Sequence, residues 1–338
     1  MTSRHVLRAG PVLALAASLT TLGAHSPADD APAAAKAGVL TVVDGTGKEH
    51  KLKGWKVTAG TRHLTWLAAP DKPAAEPKDK PDNKDKPAKA PPAKAPILKP
   101  RPSVGPEALE FRDEQSTTYV DGILTLVPLD RIKAVEYDEG TQSVTAKVVT
   151  GGGMDESLKG TTKYKGINKL TIDAEVDKGD MGIAEMKFLG GVPKGIKGVT
   201  FPAPKAPAAA PTGRLAVITV NDKQKITQKV YDLQALYRTI EGPERLSPTV
   251  MFKKTLKVDL AKVKKLHNVP SPKGDESEWQ VAYTDGEEGT FSLLKTVTQD
   301  DKPVMVLEGF LGRVPAGYKL FPPHTITDIV FDEMEKKD

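Results

Sequence analysis

The sequence lacks cysteine, has few aromatic residues and is poor in apolar residues for its length. None of its 338 residues is cysteine, aromatic residues make up 5% and apolar residues 38%. The absence of cysteine excludes disulfides, iron–sulfur clusters, Cys-ligated zinc and thiol catalysis in this chain. An apolar share below the ~45–50% of ordinary soluble domains indicates that part of the chain lies outside any packed core.

Long hydrophobic runs are also missing, except at the N-terminus. Residues 1–28 follow the pattern of a secretory signal peptide: Arg4 and Arg8 supply a positive start, residues 12–22 are rich in Ala and Leu, and Ala24 and Ala28 are candidate cleavage positions. The alternative is an uncleaved anchor helix, although this run is shorter than the ~20 residues that span a bilayer. A signal peptide on a chain without cysteine predicts export to a bacterial periplasm or the cell surface, with no membrane span after signal removal.

Two segments have the composition of linkers. Residues 70–103 are rich in Pro and Lys and contain nine Lys/Arg and five Asp/Glu, which predicts disorder with polyproline II bias. Residues 203–211 form an Ala/Pro linker. The net charge of +5 is concentrated in the first segment and in the residues just before it. These residues lack the pattern of aromatic side chains or of a helix that would contact a nucleic acid. We therefore expect no nucleic-acid partner.

The chain contains the same pattern twice. F-L-G-x-V-P-x-G-x-K occurs at residues 188–197 and again at 310–319, and G-P-E-x-L occurs upstream of each, at 105–109 and 242–246. The order of these anchors is the same in both copies, which indicates a tandem duplication. It predicts a first β domain over residues 36–202, a linker over 203–211 and a second β domain over 212–333.

The position of the Pro/Lys-rich insert suggests that it interrupts the first copy. Gly38 and Gly105 are 67 residues apart, whereas Gly213 and Gly242 are 29 apart, and removing residues 70–103 from the first interval leaves 33. We expect both ends of the insert to return to one folded unit. In the alternative, residues 36–69 form an independent flap and the insert is an ordinary linker.

Most of the chain outside these segments has the pattern of β-strands. Residues 170–177 alternate apolar and polar side chains, and residues 122–127, 133–137, 144–149, 199–201, 279–283, 304–307 and 326–331 also fit strands between short turns. The exception is the stretch from Val230 to Ile240, whose apolar residues have helical spacing and predict one short helix. The predicted fold class is mainly β: two tandem antiparallel domains, each a sandwich or open barrel, with at most short helices.

The repeated motif and the tryptophans supply the candidate ligand contacts. Lys197 and Lys319 end the motif and, with its glycine amides, could bind an anion; alternatively its Phe and Val are core anchors and Gly195 and Gly317 occupy left-handed turn positions. Trp55 and Trp66 could form a platform for sugars, or they could belong to the core, as the pattern around Trp279 indicates for that residue.

No pattern in the sequence predicts a metal, a cofactor or a catalytic residue. The four histidines beyond residue 28 lack metal-ligand spacing, and the acids at Asp173, Glu175, Asp177 and Asp180 fit the solvent face of a strand and its turn better than a calcium loop. The leading hypothesis is an exported, non-enzymatic protein with a role in envelope structure or protein interaction, whose partner is an envelope protein or polysaccharide. The alternatives are a carbohydrate- or polyanion-binding module and an exported hydrolase with a spatially assembled site.

Overall fold

The computed structural model describes most of the chain beyond residue 37. The described residues are 38–68, 98, 104–112, 122–204, 209–220, 226–240, 242–253, 256–269, 277–299 and 302–332. We call residues 38–204 the first half and residues 209–332 the second half. The proposed signal peptide, most of the 70–103 insert and part of the Ala/Pro linker lie outside the described residues.

The first half consists of twelve strands in its described part. They are β1 (Leu40–Val43), β2 (Glu49–Leu52), β3 (Gly54–Ala59), β4 (Thr61–His63), β5 (Glu107–Phe111), β6 (Leu124–Pro128), β7 (Ile132–Asp138), β8 (Ser143–Val149), β9 (Asp155–Thr161), β10 (Thr171–Asp177), β11 (Ile183–Leu189) and β12 (Gly198–Thr200). Short 3₁₀ helices cover Thr65–Leu67, Leu129–Arg131 and Gly179–Met181.

Within the described residues the second half also forms twelve strands. They are β13 (Leu215–Val220), β14 (Thr227–Thr239), β15 (Arg245–Ser247), β16 (Thr249–Phe252), β17 (Leu256–Asp259), β18 (Val263–Val269), β19 (Glu278–Tyr283), β20 (Glu288–Ser292), β21 (Thr296–Gln299), β22 (Lys302–Val314), β23 (Gly317–Phe321) and β24 (Ile326–Phe331). Its 3₁₀ helices are Leu260–Lys262 and Pro323–Thr325. The fold is thus mainly β, as the alternating pattern predicted, and no described helix is long and apolar enough to cross a bilayer.

The sheets of the described strands are antiparallel and open. One has the order β2-β1-β12-β7-β8-β9, and a second has the order β11-β10-β3. The largest follows the order β20-β19-β18-β24-β13-β14-β22-β23-β6-β5-β4, with β15 on β14 and β21 on β22; β16 and β17 pair with each other. The path β14-β13-β24-β18-β19-β20 within the largest sheet has the same chain order as β2-β1-β12-β7-β8-β9 in the first half.

The two halves meet in one continuous sheet. Strand β23 of the second half pairs with β6 of the first, with Tyr318 opposite Leu126. Behind this pairing lies a small core to which each half gives three buried residues: Leu64, Ala108 and Leu126, and Leu236, Leu311 and Leu320. Ile123 packs into the core of the second half and Ala316 into that of the first. The described residues between 38 and 332 accordingly form one compact unit.

The strands on either side of the 70–103 insert, β4 and β5, are neighbours in one sheet. Strand β4 pairs with β5, so that Arg62 lies opposite Ala108. The Leu64 amide donates to the Pro106 carbonyl over 2.8 Å. The segment before the insert also pairs elsewhere in the first half, because β1 joins β12 and β3 joins β10. Residues 40–63 therefore belong to the same body as the strands β5, β10 and β12 with which they pair.

The predicted helix at 230–240 is wrong, since this segment is part of strand β14. Between Tyr231 and Gln234 the strand advances three residues while its partner β22 advances two, which is a β-bulge. The bulge moves the buried face from Val230 to Leu233 and then to Ala235. Because the bulge shifts the alternation of buried and exposed residues by one position, the apolar residues of this strand acquire a spacing like that of a helix.

The repeated motif forms different turns in the two halves. Phe188 and Phe310 are both buried, at 6% and 0% exposure. In the second half the motif is the hairpin between β22 and β23, whereas in the first it bends after β11. The prediction that Gly195 has a left-handed backbone conformation is wrong. In this turn the positive φ angles belong to Gly191 (φ 67°) and Lys194 (φ 57°). Gly195 is required because a Cβ there would collide with the Leu189 carbonyl oxygen.

Candidate functional site

A buried charge cluster joins the two halves. The Arg62 side chain, 4% exposed, lies 2.8 Å from Glu244, which is 1% exposed. Its guanidinium also lies 3.3 Å from Glu308 and 3.5 Å from Glu110. Arg62 and Glu110 come from the paired strands β4 and β5, and Glu244 and Glu308 come from the second half. We call these four residues the junction cluster.

A second β-bulge places Glu308 in this cluster. Leu236 pairs with Gly309 and the next residue, Tyr237, pairs with Leu307, so Glu308 is the extra residue of β22. A bulge redirects side chains relative to a regular ladder. Here the redirected Glu308 carboxylate contacts Arg62 across the junction.

The carboxylates keep the buried guanidinium charged. Burial alone would lower the pKa of Arg62, but the negative charges of Glu308, Glu244 and Glu110 outweigh burial and raise that pKa. Glu244 is held further by Thr65, whose hydroxyl donates to its carboxylate over 3.3 Å and accepts from its backbone amide over 2.8 Å. The cluster therefore combines ion pairing with a two-way hydrogen bond across the junction.

An open cleft of about 550 Å³ borders the junction cluster. Both halves supply its ionisable lining side chains: Arg62, Glu110, Arg112, Lys295, Glu308 and His324. Asn168, which has a positive φ of 53° and lines the cleft, fixes the backbone of Arg112 in its wall. Its side-chain oxygen accepts from the Arg112 amide over 2.9 Å, and its side-chain nitrogen donates to the Arg112 carbonyl over 2.7 Å. The cleft is lined by both cations and carboxylates, and Arg62 forms ion pairs with Glu110 and Glu308 within this lining.

A second cleft, of about 490 Å³, lies beside Trp66. We call it the Trp66 cleft, and its walls include Trp66, Leu67, Asp232, Gln234, Arg313 and Tyr318. The Arg62 guanidinium lies 5.6 Å from the Trp66 ring centre, and Tyr318 meets that ring edge-on at 6.0 Å. Trp66 thus links the junction cluster to this cleft.

The other residues predicted to contact ligands lie apart in the fold. Trp55 is half-buried, donates from Nε1 to the Gly38 carbonyl over 3.0 Å and packs edge-on against Phe201. Lys197 is exposed, whereas Lys319 is buried and its Nζ donates to Gln228 over 2.9 Å. The two lysines of the repeated motif therefore occupy unlike environments. Trp279 is fully buried, as its pattern indicated.

Two histidines are paired with aspartates. His50, whose side chain is 8% exposed, lies 2.8 Å from Asp44, and His267 lies 3.0 Å from Asp328. Hydrogen bonds from Thr46 and His50 lower the pKa of Asp44. Burial opposes a low pKa at Asp328, but Lys265 and His267 lower it. In the part of the chain that the structure describes, neither histidine has a serine hydroxyl as a hydrogen-bond partner.

The acidic residues 173–180 lie on β10 and the turn after it. Asp173 is opposite Lys56 on one side and Lys187 on the other, and the Lys187 ammonium is 3.5 Å from its carboxylate. Among the described residues, no group of three or more His, Asp or Glu side chains has the arrangement of a metal site. Asp173 is therefore paired across strands with lysines, whereas Glu175 lies opposite Glu185 and Gly54.

Comparison with known proteins gives no match: none is found among protein-family models, curated proteins or solved structures. The assignment of function therefore depends on the chain's own geometry. Sequence patterns missed the junction cluster, because its residues lie on four separate strands and loops. The sequence did contain one signal for polar contacts at this place, because both G-P-E-x-L anchors include a glutamate. Glu107 accepts a hydrogen bond from Thr61, and Glu244 pairs with Arg62.

Proposed function

We propose that this is an exported, non-enzymatic protein built from two homologous β units, with a role in envelope structure or protein interaction. The observation that carries the proposal is the continuous sheet through β6 and β23, fastened by the junction cluster. Halves joined by backbone hydrogen bonds, a shared core and a buried ion pair cannot hinge freely. Such a body suits a rigid spacer or docking scaffold.

The duplication is supported by both sequence and topology. The anchors recur in the same order, and six strands of each half follow the same chain order across a sheet. Phe188 and Phe310, which begin the repeated motif, are both buried. The pattern of residues 1–28 supports export.

Complementation in the organism that encodes the protein tests this role. We expect deletion of the gene to increase sensitivity to detergent and osmotic shock, and the full chain to restore resistance. A chain lacking residues 2–28 should fail, because it would not reach the envelope. Complementation by that leaderless chain, or no envelope phenotype on deletion, contradicts the proposal.

Variants of the histidine pairs separate a scaffold from a hydrolase. His267→Gln and Asp328→Asn alter half-exposed groups and should leave folding intact, so both should complement as well as the wild type. His50→Gln is the corresponding variant at the other pair, with circular dichroism as the folding check. A folded histidine variant that fails to complement would favour the hydrolase instead.

A further inference from the structure

We infer that the Trp66 cleft binds a neutral carbohydrate, with Trp66 and Tyr318 as its aromatic wall. This inference goes beyond the scaffold role and does not depend on it. The two aromatic side chains are half-buried: Trp66 lies in the 3₁₀ helix that follows the edge strand β4, and Tyr318 lies on the interior strand β23. Sugars present C–H faces that pack on aromatic rings, and their hydroxyls need hydrogen-bonding groups beside the ring.

The aromatic wall is held in place before any ligand arrives. Arg62 lies over the Trp66 ring, and that guanidinium is itself fixed by Glu244 and Glu308. Tyr318 lies on β23, where it pairs with Leu126 across the junction. A fixed aromatic surface loses little conformational entropy on binding, which favours recognition of a weakly interacting ligand.

Polar groups without internal partners converge on the same cleft. Within the described ranges, neither the Gln234 amide nor the Tyr318 hydroxyl has a hydrogen-bond partner. Both residues are half-buried, so these groups are partly removed from water and gain from a ligand that bonds to them. A hydroxyl-rich ligand satisfies a donor–acceptor amide and a phenol equally well.

The backbone is distorted where it lines the cleft. Asp232 lies in the bulge of β14 with a positive φ of 50°. Its carboxylate accepts from the Arg214 amide over 3.2 Å and lies 3.3 Å from Arg313. Strained positions of this kind cluster at binding sites.

The charges of the cleft favour a neutral ligand over a polyanion. Arg313 and Asp232 form a half-exposed ion pair that presents both donors and acceptors to hydroxyls. Arg214 also lines the cleft, but its guanidinium donates to the carbonyls of Leu260 and Val263, at 2.6 Å each. The remaining groups therefore lack the several positioned cations that a polyanion site needs.

Fluorine NMR on the full chain labelled with 5-fluorotryptophan tests the inference. The probes are cellotetraose and chitotetraose, which are neutral, and a heparin tetrasaccharide, which is anionic. We expect at least one neutral probe to shift the Trp66 resonance saturably at millimolar concentration, while the Trp55 and Trp279 resonances stay in place.

Conservative variants locate the site. Gln234→Ala and Tyr318→Phe each remove one hydrogen-bonding group and should weaken binding about three- to tenfold. Gln280→Ala, an exposed glutamine on β19, is the matched control and should bind as the wild type does. The Trp66 resonance of each unliganded variant reports whether the cleft is intact.

Three results would overturn the inference. One is the absence of any shift with all three probes at ~10 mM, where even weak binding would register. Another is a shift confined to Trp55 or Trp279. The third is binding of the heparin fragment alone that weakens as salt rises, which would indicate a polyanion site.

Discussion

Arg62 is the residue on which the junction depends most. It is buried among carboxylates from both halves, and Glu244, its nearest partner, is almost fully buried. Removing one member of a buried ion pair leaves the other as an uncompensated charge, which typically costs more than the pair itself contributes.

We therefore expect Arg62→Met to lower the free energy of unfolding by about 3–5 kcal/mol. The double variant Arg62→Met/Glu244→Leu should regain at least half of this loss, because it removes the one carboxylate that is almost fully buried, while Glu308 and Glu110 are 21% and 32% exposed and can be hydrated. Urea denaturation of both variants measures the difference. Losses that simply add in the double variant would show that Arg62 and Glu244 do not act as a pair.

Asp44 is predicted to make part of the stability dependent on pH. Its carboxylate accepts from the amides of Thr46 and Lys48 and from the Thr46 hydroxyl, and it lies against His50. Its folded-state pKa is below its unfolded value of about 3.9. The stabilisation is then fully present above about pH 4 and is lost as the pH falls through the folded pKa.

Asp44→Asn should accordingly lower the urea midpoint at pH 7, and its difference from the wild type should shrink below pH 4. Asp130→Asn is the matched control, since Asp130 is exposed and has no side-chain hydrogen bond within the described residues. If the difference in urea midpoint between Asp44→Asn and the wild type stays constant from pH 7 to pH 3, the Asp44 carboxylate is not the source of this pH dependence.

Among the strands, β23 and β6 form the pairing that joins the two halves, and no sequence pattern predicted it. Gly317 begins β23, and a Cβ at this position would collide with the Leu126 carbonyl oxygen of the first half. The second glycine of the repeated motif is thus needed for close approach between strands.

Gly317→Ala should destabilise the protein by about 1–3 kcal/mol, the usual cost of overpacking. Hydrogen exchange should rise at the amides of β6 and β23 more than in β18 or β19. Gly198→Ala is the control, because a Cβ there meets only the Val135 oxygen, at 3.9 Å. Equal exchange in the two variants would mean that the junction strands are not held by this close approach.

The strands themselves were predictable where one face is buried and the period of two is unbroken, as in β10 and β19. Strand β14 was not, because its bulge shifts the buried face by one residue. The Arg62–Glu244 contact was also hidden, since a pairing of residues 182 positions apart leaves no local pattern. Trp66 was singled out by residue type, but its neighbours Tyr318 and Gln234 belong to the other half of the chain.

In the whole molecule, the two halves behave as one body. Each half has its own core, an arrangement that would also suit two independently stable domains joined by a linker. The shared sheet, the exchange of Ile123 and Ala316 between cores and the junction cluster oppose that independence. Cooperative unfolding of residues 37–338 is the expected consequence.

The most direct test is urea denaturation of the 5-fluorotryptophan-labelled protein followed by fluorine NMR. Trp55 reports the first half, Trp279 the core of the second and Trp66 the junction, and single Trp→Phe variants assign the three resonances. If the two halves form one body, all three native resonances disappear with one common midpoint. Separate midpoints for Trp55 and Trp279, with Trp66 following either one, would contradict the claim that the halves form a single rigid body.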